Sequence, residues 1–368
     1  MSLDNQIELD IAIIGGGSAG ISLAAKLDGP NTRVFEPRSP AERDVSWSTW
    51  ANEEQMAELA PAIVGSWDQW RIVDAQSEVV HQTAEYRYTS LSSAQYLSYC
   101  EGRLSDSVQL VRASAENITA QGQGGCFSAA GQQYRAKKIY DNRPPAMDDN
   151  GLIQHFLGVE IHTKHPISNP EIATLMDFRV DQSRGLHFIY MLPFADNRLL
   201  IESTMISTSI EDKQWYLQAI KQWLDEQGIE IEKLLREEMG VIPMHRVTPQ
   251  NPDLATIGAA SGAVRQSSGY AFSAIQAQMK ALANGIAAGE LDVPAPIPVS
   301  LMRMDKIFNT VLLARPDLRV SIFMRTAKAL SGDGFARFML GTASLMDWTK
   351  VILAMPKLPF IKAVFSRD

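Results

Sequence analysis

The first hydrophobic segment of the chain is short and ends abruptly in glycine. Residues 10–14 are mostly β-branched and apolar, which is typical of a buried strand. After the glycines, residues 21–27 carry small and apolar side chains at helical spacing, and residues 33–36 form a second short apolar run that ends in an acid. The pattern predicts a strand, a tight turn, a helix and a second strand.

The glycines between the first strand and the helix have the spacing of a dinucleotide-binding loop. Gly15, Gly17 and Gly20 fit the fingerprint that permits a tight turn, close approach of a pyrophosphate and close packing of the helix. Free N–H groups at the helix start bind phosphate, and an acid after the next strand binds a ribose hydroxyl. We therefore expect a dinucleotide site rather than a chance glycine-rich turn. The residues expected to contact it are Gly15, Gly16, Gly17, Ser18, Ala19, Gly20 and Glu36.

Two later segments predict further contacts with the same cofactor. Residues 139–145 end a strand and turn, which places them near the cofactor in such a fold. Residues 254–262 predict a strand ending in small residues, and residues 271–288 predict an alanine-rich helix. This arrangement is typical of FAD-dependent hydroxylases, in which a second segment completes the flavin site; the alternative is an ordinary strand–helix unit. The expected contacts are Asp141, Arg143, Gly258, Ser268, Gly269 and Tyr270.

The middle of the chain is rich in predicted strands. Residues 186–192 and 199–205 are apolar runs joined by a turn rich in Asp and Asn, which predicts a hairpin. Glu202 lies among aliphatic residues of the second run, where a carboxylate is costly unless it is paired or protonated. Two interpretations remain open: an edge strand that turns Glu202 to water, or an acid with a raised pKa beside an apolar pocket.

Two helices are predicted with their ends. Residues 92–104 predict a helix with a serine N-cap, and residues 212–227 predict an amphipathic helix that stops at Gly228. Residues 108–113 and 127–130 predict strands between them.

Tryptophans are dense before the hairpin. They fill a core or line a pocket for a flat or long apolar ligand, and composition favours neither interpretation. The residues concerned are Trp47, Trp50, Trp67 and Trp70.

These elements together predict an α/β fold, α+β overall. We expect a Rossmann-like FAD-binding domain interleaved with a β-rich substrate domain, followed by a helical C-terminal region. The FAD-binding domain comprises residues 1–45, 92–150 and 238–292, the substrate domain residues 46–91 and 151–237, and the helical region residues 293–368. In the helical region, basic residues occur among apolar stripes, so it is either a cap on the core or an amphipathic surface for a bilayer.

Composition argues against several classes of protein. The 368-residue chain has a net charge of −8, which disfavours non-specific binding of nucleic acid. Cys100 and Cys126 form neither a disulfide framework nor a metal-spaced pair, so we expect no metal. A polar N-terminus and the lack of a long apolar run predict neither a signal peptide nor a membrane span, and the cysteine usage suits a reducing cytoplasm, so we expect a cytoplasmic protein.

Several short segments follow one another in an order that is specific, although no single segment is decisive. They include Ser-Trp-Ser-Thr-Trp at 46–50 and Arg-Leu-Leu-Ile-Glu-Ser-Thr at 198–204. The others are residues 15–20, 141–144, 176–177, 180–182, 190–194, 240–244, 267–270, 313–316 and 356–359. With these segments the chain resembles, over nearly its whole length, the bacterial-type flavoprotein lycopene β-cyclases.

The resemblance implies a reaction. Linear ψ end groups of lycopene, or of a related linear carotenoid, would be cyclised through γ-carotene to β-ionone rings. A proton is added to the end-group double bond, the neighbouring double bond attacks the cation, and a ring proton is lost, without net redox change. The resemblance also implies reduced FAD, NAD(P)H as its reductant, and a peripheral position on the inner face of the cell membrane, where the insoluble substrate is collected.

The resemblance assigns roles to individual residues as well. Glu202 matches the position generally given the role of proton donor, and Glu238 is a second candidate acid or base. Trp47 and Trp50 would offer aromatic faces to the cation. Ser203 departs from the family, which commonly carries a second acid there; because adjacent strand residues face opposite sides, that acid would not share the site of Glu202.

Two other functions remain open. An FAD-dependent polyprenyl reductase or hydroxylase acting on an apolar substrate would share this cofactor frame, but would consume NAD(P)H in proportion to product. A non-catalytic flavin- or carotenoid-binding protein would leave the spectrum of a bound polyene unchanged.

Overall fold

The strand, turn and helix predicted around the glycine loop begin the fold. The computed structural model describes residues 6–147 and 151–365. The strands are β1 Gln6–Ile14, β2 Thr32–Phe35, β3 Ser46–Ala51, β4 Ile63–Trp67, β5 Gln69–Val73, β6 Glu78–Gln82, β7 Arg87–Ser92, β8 Val108–Val111, β9 Glu116–Gln121, β10 Gly124–Ala129, β11 Gln132–Asp141, β12 Ile153–Thr163, β13 Ile172–Asp177, β14 Leu186–Ala195, β15 Arg198–Ser207, β16 Ile231–Pro243 and β17 Ala255–Thr256. The α-helices are α1 Ser18–Ala24, α2 Glu53–Leu59, α3 Ser93–Glu101, α4 Lys213–Gln227, α5 Phe272–Ala287, α6 Val299–Ala314, α7 Arg319–Ala329, α8 Gly332–Leu340, α9 Leu345–Ala354 and α10 Lys357–Phe365.

The first sheet brings three strand ends to one edge. Its order is β8-β2-β1-β11-β10-β9, with β17 beside β11, and β1 runs parallel to both β2 and β11. Ile14 lies opposite Phe35 on one side and Asp141 on the other. Because parallel strands end at the same edge, the glycine loop, Glu36 and the segment after Asp141 meet there. Helices α1 and α5 pack on this sheet through a shared apolar core.

The second sheet has one face for packing and one for a cavity. Its order is β16-β12-β15-β14-β13-β5-β6. Side chains alternate between the two faces, and odd-numbered positions such as Leu157 and Ile201 form a core with Tyr216 and Trp223 of α4. Even-numbered positions of β12, β14 and β15, including Glu202, line a cavity instead.

The remaining elements cover that cavity. A third sheet, of order β3-β7-β4, contributes Trp50 and Trp67 to the largest apolar core. The C-terminal helices join the same core with Leu312, Ile322 and Phe335. The region predicted as helical is therefore helical, and its inner face is packed on the body of the protein. None of the described helices is long and apolar enough to span a membrane.

The local predictions hold where both an end signal and a periodic pattern are present. Helix α3 begins after Ser92, whose hydroxyl accepts from the Gln95 N–H, as the serine cap predicts. Helix α4 ends at Gly228, which has a φ of 67°. Strand β9 was not predicted, because its mixed polar residues show little alternation. The domain boundaries stay predictions, and β16 runs across the boundary placed at residue 238.

Candidate active site

Two buried glutamates face each other across one glycine. Gly158 of β12 pairs with Glu202 of β15 on one side and with Glu238 of β16 on the other. A Cβ atom on residue 158 would lie 2.8 Å from the Cγ of Glu202 and 3.2 Å from that of Glu238. The glycine therefore leaves the space in which the two side chains meet. β15 is a central strand and Glu202 is buried, so the interpretation as a water-facing edge strand is wrong.

Among the described residues, hydrogen-bond donors contact only one of the two carboxyl oxygens of Glu238. Its Oε2 accepts from Arg236 Nη1 at 2.8 Å and from the Ser46 N–H at 2.9 Å. Its Oε1 is buried and lacks a hydrogen-bond donor among the described residues unless Glu202 carries a proton. A protonated Glu202 resolves this, because its hydroxyl would donate to Oε1 while Oε2 remains bound to Arg236.

The electrostatics of the pair agree with that assignment. Burial raises the pKa of Glu202 well above the ordinary value of a glutamate, and the neighbouring Glu238 raises it further by its charge and its hydrogen bond. Arg236 opposes this shift in the pKa, but more weakly. The two carboxyl groups thus lie side by side, and Glu202 is the member whose surroundings favour the protonated form.

A chain of ion pairs anchors Arg236. Its Nε donates to Glu160 Oε2 at 2.6 Å, and its Nη2 donates to Ser46 Oγ at 2.7 Å. Arg198 donates to the other oxygen of Glu160 at 2.6 Å. Glu160 follows Gly158 on the same face of β12, so the charges alternate along one side of the sheet. This arrangement fixes the guanidinium that holds Glu238.

A cavity of about 340 Å³ opens beside Glu202. It reaches from Ser18, at the start of α1, to the face of the second sheet. The residues predicted from sequence that line it are Ser18, Trp47, Glu202, Ser268, Gly269 and Tyr270. Ser18 is the member of the predicted loop that lines this cavity, so the start of α1 and Glu202 border the same cavity, whereas the predicted contacts Glu36, Asp141, Arg143 and Gly258 lie outside its lining.

Three tyrosines form a chain of hydroxyl groups in the cavity wall. Tyr88 OH lies 2.9 Å from Tyr190 OH and 3.0 Å from Tyr270 OH, and Tyr190 donates to Ser48 Oγ at 2.8 Å. Tyr190 pairs with Glu202 across β14 and β15. Burial raises the pKa of each phenol well above its ordinary value, so all three stay neutral. The wall beside Glu202 therefore carries aromatic rings without added charge.

The tryptophans divide between wall and core. Trp47 lines the cavity, whereas Trp50 is buried behind it, with its ring centroid 4.7 Å from that of Tyr88 and 5.0 Å from that of Tyr270. Trp67 and Trp70 lie in the same core. For three of the four, core filling is thus the correct interpretation. Trp50 supports two rings of the wall instead of offering its own face to the cavity.

Ser203 points away from the acid. Its hydroxyl lies 2.9 Å from Nε2 of His187, on the sheet face that packs against α4. Burial lowers the pKa of His187 to about 4, so this contact is between neutral groups. The departure from the family at residue 203 therefore leaves the carboxyl pair intact.

The glycine loop has the geometry of a phosphate cradle. Gly15 has a φ of 95°, and a Cβ on Gly20 would lie 2.0 Å from the carbonyl oxygen of Gly15. Glu36 accepts from the N–H of Gly16 at 3.1 Å and from that of Arg38 at 3.1 Å. The Glu36 side chain thus holds the glycine loop in place through the N–H of Gly16. A larger side chain at residue 20 would displace the backbone that a pyrophosphate approaches.

Asp141 and Arg143 bind each other at the adjacent strand end. Arg143 donates to both carboxylate oxygens of Asp141, at 2.9 and 2.6 Å, and Asp141 is buried. Between them, Asn142 donates to the carbonyl of Gly15 at 3.2 Å. A Cβ atom on Gly258 would lie 2.8 Å from Oδ1 of Asn142. Asn142 was not predicted as a site residue, and it connects the first and second cofactor segments.

The second segment offers an unpaired polar atom to the cavity. Ser268 Oγ is buried and lacks a hydrogen-bond partner among the described residues, although it belongs to the cavity lining. Gly269 follows with a φ of 74°, which turns the loop sharply. Together with the glycine cradle, this hydroxyl makes the site fit a dinucleotide cofactor, toward which Ser268 could offer a hydrogen bond.

Several site residues could not be recognised from the sequence. Gly158, Arg236 and Tyr190 lie in strands whose pairing is not visible in a linear pattern. The short spacing between Arg236 and Glu238, on one face of a strand, was the available signal for their ion pair.

Comparison with known proteins identifies the family. The sequence profile described as lycopene cyclase protein matches residues 10–364. The chain belongs to the lycopene cyclase family. Family members with a similar sequence include a lycopene beta-cyclase of Pantoea ananas, 26% identical with 98% of each chain covered, and one of a Paracoccus species, 25% identical with 96% of each covered. A lycopene beta cyclase of Synechococcus elongatus is 26% identical over 76% of this chain and 72% of its own.

Solved structures confirm the fold class. A geranylgeranyl bacteriochlorophyll reductase-like protein from Thermoplasma acidophilum superposes with a TM-score of 0.64 at 13% identity, covering 98% of this chain and 99% of its own. A flavin-dependent brominase gives a TM-score of 0.60 at 14% identity, covering 97% and 98%. This member of the lycopene cyclase family therefore has the mixed α/β fold of flavoprotein reductases and halogenases.

Proposed function

We propose that this protein is a lycopene β-cyclase, which converts linear ψ end groups of lycopene or a related carotenoid to β-ionone rings. Membership of the family supports the reaction, and the relatives named as lycopene beta-cyclases support the substrate. The observation that carries the proposal is the buried pair of Glu202 and Glu238 beside an apolar cavity. Protonation of an alkene needs an acid that stays protonated at neutral pH in a dry site, and Glu202 meets that requirement.

The chain's own residues account for the proton balance. Glu202 gives its proton to the end-group double bond, and the neighbouring double bond closes the ring on the resulting cation. Glu238, paired with Arg236, places negative charge next to the site while the cation exists. The ring then loses a proton to the Glu202 carboxylate, which restores the acid. One proton enters and one leaves, so the reaction has no net redox change.

The aromatic residues that line the cavity would stabilise the cation formed in this reaction. The faces of Trp47, Tyr190 and Tyr270 line the cavity beside Glu202 and attract positive charge through their ring quadrupoles. Trp50 keeps the Tyr88 and Tyr270 rings in place from behind. Neutral phenols suit this role because they do not quench the cation by forming a bond.

The cofactor of the proposed enzyme is FAD in its reduced form. The glycine cradle at residues 15–20, with Glu36 behind it, would hold the pyrophosphate and ribose, and Ser268, Gly269 and Tyr270 would border the ring system. Gly258 and the Asp141–Arg143 pair would close the site from the adjacent strand ends. When bound, reduced FAD supplies negative charge near the reacting end group, and NAD(P)H serves only to keep it reduced.

The C-terminal helices carry the features of a membrane surface. Leu345, Leu353 and Leu358 are 88, 70 and 72% exposed, and neighbouring positions of α9 and α10 are exposed and apolar as well. Lys350 and Lys362 are exposed among them. Such a surface binds anionic lipid by apolar burial and charge attraction. We infer a peripheral enzyme that collects its carotenoid from the inner face of the cell membrane.

Pigment analysis tests the proposal. The protein is expressed in a bacterium that accumulates lycopene, beside a Glu202→Gln variant and an empty vector. We expect γ-carotene or β-carotene from the native protein, and a loss of cyclisation on the order of 10²- to 10⁴-fold for the variant with FAD retained. Unchanged lycopene with folded, FAD-bearing native protein would contradict the proposal. NAD(P)H consumption in proportion to product would instead indicate a polyprenyl reductase or hydroxylase.

A further inference from the structure

A second cavity of about 300 Å³ lies between the second sheet and the C-terminal helices. It is lined by side chains of α6 to α10 and by residues of β13 and β14. It shares Gln154, Met176, Phe188 and Ser268 with the cavity that contains Glu202. The two cavities therefore adjoin, and these four residues form the boundary between them.

The second cavity is suited to a hydrocarbon. Among its charged lining residues, Arg265 and Asp305 are buried and pair with each other at 2.8 and 2.9 Å. The third, Lys357, donates to the carbonyl of Leu353 at 2.9 Å. The charges of Arg265 and Asp305 are thus paired within the protein, Lys357 is exposed and bonded to a helix carbonyl, and the remaining wall is mostly apolar. A ligand with its own charge or strong polar groups would find no free partner among these three.

The outer part of the second cavity is continuous with the apolar surface of α9 and α10. Ile352 and Ile361 belong to the lining and are also exposed to the outside. Leu353 and Leu358, which are exposed on the same two helices, lie next to them in the chain or one turn away. A hydrophobic molecule that leaves a bilayer at this surface can therefore enter the cavity without crossing water.

We propose that the second cavity binds the non-reacting half of the polyene while the other end group lies beside Glu202. This inference rests on the cyclase function proposed above. A linear hydrocarbon longer than one cavity can extend through the two adjoining cavities, of which the second is the more apolar, and Glu202 lines the inner one only. One end group reacts in each binding event, so the polyene must leave and enter again with its other end first.

In this arrangement, the width of the second cavity determines whether one or both end groups of the polyene are cyclised. In the first event it holds a linear end, and in the second event it holds the end that has already become a ring. A ring is wider than an extended chain, so the width of the cavity limits the second event more than the first. Narrowing it should therefore cause the monocyclic product to accumulate.

The test compares two substitutions of the same kind. Val351 of α9 lines the second cavity, and Val320 of α7 is half-buried outside its lining. In cells that accumulate lycopene, we expect Val351→Trp to raise the ratio of monocyclic to bicyclic carotenoid by roughly tenfold or more. Val320→Trp should leave the ratio unchanged. An unaltered ratio in a folded, active Val351→Trp protein would overturn the inference.

A binding measurement keeps the inference testable if the large substitution impairs folding or turnover. Ile307→Phe fills the same cavity from α6 with a smaller change. In a Glu202→Gln background, purified monocyclic carotenoid in detergent micelles should bind roughly tenfold more weakly after this substitution, whereas lycopene binding should change less. No loss for either carotenoid would refute the role of the cavity, and equal loss for both would refute its discrimination between a linear end and a ring. Failure of the native protein to cyclise lycopene at all would instead refute the proposed function.

Discussion

Glu202 and Glu238 occupy matching register positions on the two strands that flank β12, each directly opposite Gly158. The pair consists of an acid in an apolar cavity and a carboxylate fixed by Arg236. The two carboxyl groups affect each other. The charge of Glu238 raises the pKa of Glu202, and a proton on Glu202 would give the buried Oε1 of Glu238 a hydrogen-bond donor.

Gly158→Ala should separate the two carboxyl groups. The added methyl would lie 2.8 Å from the Cγ of Glu202, so at least one side chain must shift. We expect cyclisation to fall on the order of 10²-fold, as for other small misplacements of reacting groups, with a stability cost of about 1–3 kcal/mol. Turnover and urea unfolding measure the two effects. Gly102→Ala is the matched control, because its Cβ would come no closer than 3.5 Å to its neighbours; equal activity in both variants would contradict the role of Gly158.

Glu238→Gln should shift the pH dependence of the reaction. In the proposed mechanism cyclisation requires protonated Glu202, so we expect activity to fall as pH rises through the pKa of Glu202. Removing the charge of Glu238 takes away a cause that raises this pKa, and the fall should then occur at lower pH. The measurement is the pH–rate profile of the purified enzyme. Glu237→Gln, on the exposed neighbouring residue, should leave the profile in place; an unshifted profile for Glu238→Gln would exclude the coupling.

Protein stability should depend on pH through the same group. The pKa of Glu202 is higher in the folded protein than in the unfolded chain, so its proton favours folding at low pH. This contribution is complete below the unfolded pKa of about 4.5 and is lost as pH rises through the folded value. Relative to the native protein, Glu202→Gln should therefore gain free energy of unfolding as pH rises, by at most about 1.4 kcal/mol per pH unit. Urea unfolding of both proteins at several pH values measures it, and a difference independent of pH would contradict the shift.

Binding to membranes should depend on the apolar side chains of α9 and α10. Leu353→Glu combined with Leu358→Glu removes two exposed leucines, each worth about 1.5–3 kcal/mol when buried in lipid. We expect affinity for vesicles of mixed neutral and anionic lipid to fall roughly tenfold or more. Ile210→Glu changes a side chain that is 52% exposed before α4 and should have no effect. Equal sedimentation of all three proteins with vesicles would show that this surface does not bind lipid.

The sequence allows prediction of elements whose signals are local. The glycine loop, helix α4 with its stop at Gly228, and the β14–β15 hairpin each combine a periodic pattern with a turn or cap, so they form where predicted. Strand β16 lacks a clear periodic pattern in its first half. Its first residues are exposed and include several charged side chains, so little alternation shows there.

The catalytic arrangement could be predicted only in its parts. Glu202 stands out because it is a carboxylate among aliphatic residues. Its environment depends on Gly158 and Glu238, which are far apart in the sequence and come together through sheet register alone. Likewise, aromatic composition indicates a core or a pocket, but only the packing shows that Trp47 lines the cavity and that Trp50 lies behind it.

Infrared spectroscopy tests the central claim most directly, because protonated and ionised carboxyl groups absorb at different frequencies. The spectrum of the native protein at neutral pH is compared with that of Glu202→Gln, so that absorption common to both cancels. The account predicts a protonated-carboxyl band in the native protein that is missing from the variant. Identical spectra in this region would show that Glu202 is ionised at neutral pH, and would contradict its role as the acid.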